Sequence, residues 1–135
     1  MKKTIKLTAL ALVLVLSVLT LASCIPPNMD PDKAIESLKE NDYTAVHDDT
    51  VIPLVLKLAG VKGIEDVVTG TAYVEDKFEH VTIIYFEDAD AAKAAWDDVK
   101  EYAEDDKNEE DTDWTIAKFG KMIWYGTEAA IKATY

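Results

Sequence analysis

Apolar and polar residues alternate along this chain with two periods, and the change from one to the other marks the elements. After Asp30-Pro31, Ala34, Ile35 and Leu38 recur at helical spacing. With Asp as cap and Pro in the first turn, this predicts a helix from Pro31 closed near Asn41. Tyr43–Val46 reads as a first strand. Thr50–Ala59, "TVIPLVLKLA", reads as a second helix with Pro53 tolerated in its first turn and Gly60 closing it. That helix is apolar almost all round, so it is either buried on several sides or touches a partner. Val67–Val74 and His80–Phe86 are β-rich and flank the polar run "EDKFE", which predicts a hairpin. Asp88 then caps a long helix whose Ala92, Trp96, Val99 and Ala103 face the sheet. Trp114–Phe119 and Lys121–Tyr125 are short strands on either side of Gly120. "TEAAIKA" makes a last short helix capped by Thr127.

From Tyr43 the order is strand, helix, strand, strand, helix, strand. It resembles the split βαβ order of the ferredoxin-like α+β fold, with an extra N-terminal helix and a short C-terminal helix. The passage "YFEDADAAKAAW" (Tyr85–Trp96) resembles the third-strand-to-second-helix passage of such domains. The fold itself hosts many unrelated activities, so this likeness carries no function.

Residues 1–24 have a separate pattern. Lys2, Lys3 and Lys6 precede an uncharged run from Leu7 to Leu21, which ends in Leu21-Ala22-Ser23-Cys24. Charge, length and tetrapeptide together resemble the signal peptide and lipobox of bacterial lipoproteins. The resemblance implies cleavage before Cys24, acylation of its sulfur as a diacylglyceryl cysteine and N-terminal palmitate-type acylation. It places the domain on the extracytoplasmic face of a cell membrane or an outer membrane. Two or three acyl chains hold a soluble domain stably, since each buried CH₂ contributes about 0.8 kcal/mol. The expected organisation is a signal peptide over 1–23, a short stiff tether over 24–30 and a single domain over 31–135.

Composition narrows the chemistry. Cys24 is the only cysteine, so its acylation leaves no thiol for disulfides, catalysis or metal binding. The chain carries 14 basic residues, all lysine, against 26 acids. Removal of 1–23 leaves 11 lysines and a formal charge of −15. Such a domain repels nucleic acid and, without arginine, makes no bidentate phosphate contact. It also repels anionic head groups, so it is expected to stand off the bilayer.

The candidate contact surface is the sheet face opposite Phe86. The third strand offers Val81, Ile83 and Tyr85 in one row, and Tyr73, Ile123 and Tyr125 extend it if their strands share its phase. Three occupants compete for so apolar a face: a terminal helix folded back over it, a second copy of the chain, or an apolar or aromatic ligand. His47-Asp48-Asp49 brings an imidazole and two carboxylates together, but no converging ligand set accompanies it beyond His80. A polar loop with Asp49 or Thr50 capping the next helix explains it. Glu104–Asp113 holds seven acids in ten residues but lacks the central glycine and terminal glutamate of a calcium loop, and reads as a solvated loop. No catalytic, cofactor or metal signature emerges. The expected role is a non-catalytic interaction or assembly module, working as a homodimer or with an envelope protein. Capture of a small ligand in an apolar pocket is the alternative.

Overall fold

The computed structural model describes residues 25–108 and 113–135. Nine elements follow in order: α1 (Pro31–Glu40), β1 (Thr44–His47), α2 (Val51–Leu58), β2 (Ile64–Val74), β3 (Lys77–Phe86), α3 (Ala89–Asp106), β4 (Trp114–Phe119), β5 (Met122–Thr127) and α4 (Glu128–Lys132). Cys24 and residues 109–112 of the acidic run lie outside the described residues.

The local signals act as the sequence predicts. The Asp30 carboxylate accepts the Asp32 N–H at 3.0 Å, and Asp88 accepts the Ala91 N–H at 2.7 Å. Each supplies an acceptor to a helix start whose N–H groups have no partner within the helix. The β2–β3 hairpin is tighter than expected. Glu75 and Asp76 both have positive φ, 53° and 65°, so the chain reverses in a two-residue turn of the type that matches strand twist. Lys77, Phe78 and Glu79 therefore belong to β3.

The strands form one antiparallel sheet in the order β1-β2-β3-β5-β4. The fold class is α+β, but this order differs from the ferredoxin-like one, which needs a parallel pair of strands. β1 lies at an edge and pairs only with β2, with His47 opposite Val68. The cause lies in the β1–β2 connection. Asp48 takes the N–H groups of Thr50, Val51 and Ile52, so α2 starts at the end of β1 and stays there. The chain then re-enters the sheet from that same end, and α2 is an excursion within a long hairpin connection.

Helices cover both faces of the sheet. On one face, α1 and α4 bury Val68, Val81, Ile83, Tyr85, Met122 and Trp124. On the other, α2 and α3 bury Val67, Ile84, Phe86, Ile123 and Tyr125. Leu38 of α1 sits over Gly70, where an added Cβ would come within 2.9 Å of its methyl group. The missing side chain lets α1 approach the sheet. Lys118 of β4 lies 5.2 Å from the centre of the Trp96 ring and links the far edge to α3.

Within the segment expected to be a tether, Pro27 and Asn28 are held by the fold, while Ile25 and Met29 are exposed. Pro27 is buried. The Asn28 N–H donates to the Thr134 carbonyl at 3.3 Å, and the Tyr85 hydroxyl donates to the Asn28 carbonyl at 2.8 Å. Ser37 Oγ donates to the Tyr135 carbonyl at 2.5 Å. The chain entrance and the C-terminus are thus tied to the same layer of helices.

Candidate functional site

The six residues of the expected contact face do not share one face. Val81, Ile83 and Tyr85 do lie in one row, but α1 and α4 cover them to 5% exposure or less. Register decides the others: Ile84 stands opposite Ile123 and Thr82 opposite Tyr125, and directly paired residues point the same way. Ile123 and Tyr125 therefore belong to the α3 face. Met122 and Trp124 extend the Tyr85 row instead, so the expected phase of this strand is off by one. Tyr73 pairs with Phe78, also on the α3 side but beyond the helix, and is 78% exposed. Its ring centre lies 5.3 Å from that of Phe78, and Phe78 stacks on His80 at 5.4 Å.

His47 lies at the end of β1, but its partners are not its neighbours Asp48 and Asp49. Nδ1 is 2.9 Å from Asp66 Oδ2 on β2, and Nε2 is 3.1 Å from Asp32 Oδ1 on α1. The hydrogen bond to Asp66 contributes most to a pKa held above the ordinary histidine value. Partial burial opposes it, and the charge of Asp66 with the bond and charge of Asp32 adds to it. With both ring nitrogens donating, the imidazolium has no lone pair for a metal or for proton abstraction. This is a clasp that ties α1, β1 and β2 together. Asp48 has a different task. Burial alone would raise its pKa, but the N–H groups of Thr50, Ile52 and Val51 outweigh burial and hold it below the usual value. It serves as the helix cap that Asp49 or Thr50 was expected to provide. Among the described residues no group of three or more histidine, cysteine, aspartate or glutamate side chains is placed to hold a metal ion.

Asp48 and Asp66 line a cleft of about 620 Å³ between α2 and the first residues of β2. Asp49, Glu65, Lys57 and Lys62 complete its charged rim. Its volume suits a small molecule, but the polar groups on the floor are already engaged in the clasp and the cap.

The outer side of α2 is the feature that sequence reasoning only half identified. Ile52 and Leu56 point inward and are buried. Val51, Leu54, Val55 and Leu58 point outward at 63, 58, 40 and 80% exposure. Their spacing of three, four and seven residues lines them up as one stripe. Around them, from Thr50 to Ile64, the chain has Lys57 and Lys62 and no acid. This is a continuous apolar surface on a strongly acidic protein, and the two lysines beside it share the cleft rim with Asp48, Asp49, Glu65 and Asp66. Among the described residues no helix is long and apolar enough to cross a membrane. No family model, no curated protein and no solved structure matches the chain.

Proposed function

We propose that this protein is a lipid-anchored extracytoplasmic module without catalysis of its own, acylated at Cys24, whose working surface is the outer side of α2. The exposed stripe Val51, Leu54, Val55 and Leu58 carries this reading. Four large apolar side chains in a row on a rigid helix lose free energy in water and regain it against an apolar partner surface. The lipobox-like ending at Cys24 supports the anchor, and the engaged state of His47 and Asp48 argues against chemistry in the cleft.

The test uses the full chain in cells. Benzoylphenylalanine at Val51 gives an adduct on irradiation, whereas the same group at Glu75, in the turn at the opposite end of the sheet, gives none. Failure of Val51 to yield any adduct overturns the contact surface. Cys24→Ser, which blocks thioether acylation, releases the chain from the membrane fraction if the anchor reading is right.

A second reading, capture of a small ligand, is favoured by the volume of the cleft beneath α2. It predicts extra mass on the protein in native mass spectrometry and a melting temperature that falls when that mass is dialysed away. The charged rim makes a small zwitterion a better fit than the apolar ligand expected from the sequence.

A further inference from the structure

The surface facing α2 is the bilayer that holds the anchor: we infer that the stripe Val51, Leu54, Val55 and Leu58 docks flat on the lipid surface and orients the domain. This rests on the anchored reading above and names the partner of the same surface.

Chain length gives the first reason. Asn28 is fixed in the fold by its bonds to Thr134 and Tyr85. Only Ile25, Pro26 and Pro27 separate it from Cys24, so the backbone allows at most about 14 Å between the Cα atoms of Cys24 and Asn28 at full extension. Part of that reach is already used, because Pro27 is buried. The domain cannot stand far off the membrane.

Position gives the second. Tyr85, which holds Asn28, stands opposite Asp66 in the sheet. Asp66 lines the cleft beneath α2 and holds His47, whose other partner, Asp32, lies in the first turn of α1. The chain entrance and α2 therefore occupy the same end of the sheet, on its two faces. An anchor that draws this end to the membrane stands the sheet on that end, and this orientation brings α2 to the lipid surface as well.

Charge decides the kind of lipid. The domain as a whole repels anionic head groups, and Lys57 and Lys62 share the cleft rim with Asp48, Asp49, Glu65 and Asp66, so the stripe meets a zwitterionic surface through its apolar side chains.

Area argues against a second copy. Four side chains on an eight-residue helix offer a few hundred Å², well below the roughly 800 Å² per partner of a stable dimer. Two such domains also repel each other through their acidic charge. A bilayer contact needs far less intrinsic affinity, because the anchor makes docking intramolecular.

The test uses the full chain carrying Leu58→Cys, purified in lipidated form and placed in phosphatidylcholine vesicles. Acylation of Cys24 leaves position 58 as the one free thiol, which takes a nitrobenzoxadiazole probe. The control places the probe at Tyr73→Cys. The expected result is blue-shifted emission at position 58, quenched by nitroxide-labelled lipids, with water-like unquenched emission at position 73. Adding Leu54→Asp to the position 58 sample should reduce the shift and the quenching. Water-like emission at both positions overturns the proposal. So does a blue shift that nitroxide lipids do not quench and that grows with protein density, which would put a second copy on the stripe. An intact mass without acyl groups overturns the anchored reading itself, and the docking proposal with it. Circular dichroism of each variant confirms that the fold is kept.

Discussion

His47 and Asp66 join two adjacent strands through a bond of 2.9 Å from imidazole Nδ1 to carboxylate Oδ2, a diagonal contact two residues along β2 from Val68, the ladder partner of His47. Because Asp32 takes the other nitrogen, the protonated ring is the form the fold prefers. A histidine with a raised folded pKa contributes stability that is complete below its unfolded value near 6.5 and is lost as pH rises through the folded value. Melting temperature should therefore fall as pH passes upward through the range just above 6.5. His47→Gln should flatten that step and cost no more than about 1 kcal/mol, since the pairs are partly solvated. Melting curves of both proteins at several pH values check this, and an identical step in the variant would assign it to another group.

Asp48 predicts the opposite slope at acid pH. Its folded pKa is depressed, so its contribution is complete above the unfolded value of 3.8 and is lost as pH falls through the folded one. Asp48→Ala removes the acceptor for three N–H groups at the start of α2 and should cost about 1–2 kcal/mol at neutral pH. Urea unfolding at pH 7 and pH 3 separates the effects: the cost should shrink at pH 3.

Tyr85 shows how a side chain legible as apolar can be misplaced in role. Its ring is buried under α1 and α4, and burial with the nearby charges of Asp66 and Asp30 pushes its hydroxyl pKa far up. Tyr85→Phe keeps the packing and removes one hydrogen bond, to the Asn28 carbonyl. A cost of about 1 kcal/mol is expected, with faster amide exchange at Asn28. Tyr85→Asp puts an unpaired charge in the core and should cost more than about 4 kcal/mol, enough to unfold a small domain. A folded Tyr85→Asp protein with native spectra would contradict the burial of this row.

The sequence made most elements readable and left their arrangement hidden. Asp30-Pro31 and Asp88 mark helix starts through local hydrogen bonds, so local reading finds them. The pairing of β1 with β2 depends on where the chain goes after α2, which no local pattern records. The phase of β5 turns on a single residue after Gly120, whose φ of +56° sets the reversal. A shift of one there moved Ile123 and Tyr125 to the wrong face. The covering of the Val81–Tyr85 row is likewise tertiary, because α1 packs there only when Leu38 meets Gly70. The apolar character of α2 was plain in "VIPLVLKL", but which half faces water depends on Val67, Phe86 and α3 packing beneath it.

Gly126 pairs with Val81 at φ +149°, a conformation that side chains rarely adopt. A Cβ there would strike the His80 carbonyl oxygen and come within 2.7 Å of Val81 Cα. Both are backbone atoms in the sheet and cannot turn aside. Gly126→Ala should cost about 2 kcal/mol or more, read as a lower urea midpoint. Gly60→Ala makes a useful comparison. Gly60 has a positive φ as well, but open space where the Cβ would go, so it isolates backbone strain from the clash.

Two leucines two positions apart in α2 should behave as opposites. Leu56 is fully buried among Ile52, Val61 and the α3 face of the sheet, whereas Leu58 is 80% exposed. Leu56→Ala removes buried methyl groups and leaves a cavity, with an expected cost of about 2–5 kcal/mol. Leu58→Ala loses almost no burial and should stay within about 0.5 kcal/mol of the parent in solution. Membrane-bound protein should reverse the ranking for orientation: Leu58→Ala weakens the lipid contact of α2 while the fold persists. Urea unfolding measures the first quantity and nitroxide-lipid quenching of a probe at Val51→Cys measures the second. If Leu58→Ala changed stability as much as Leu56→Ala, α2 would be packed on its outer side too, and its stripe would be core rather than contact surface.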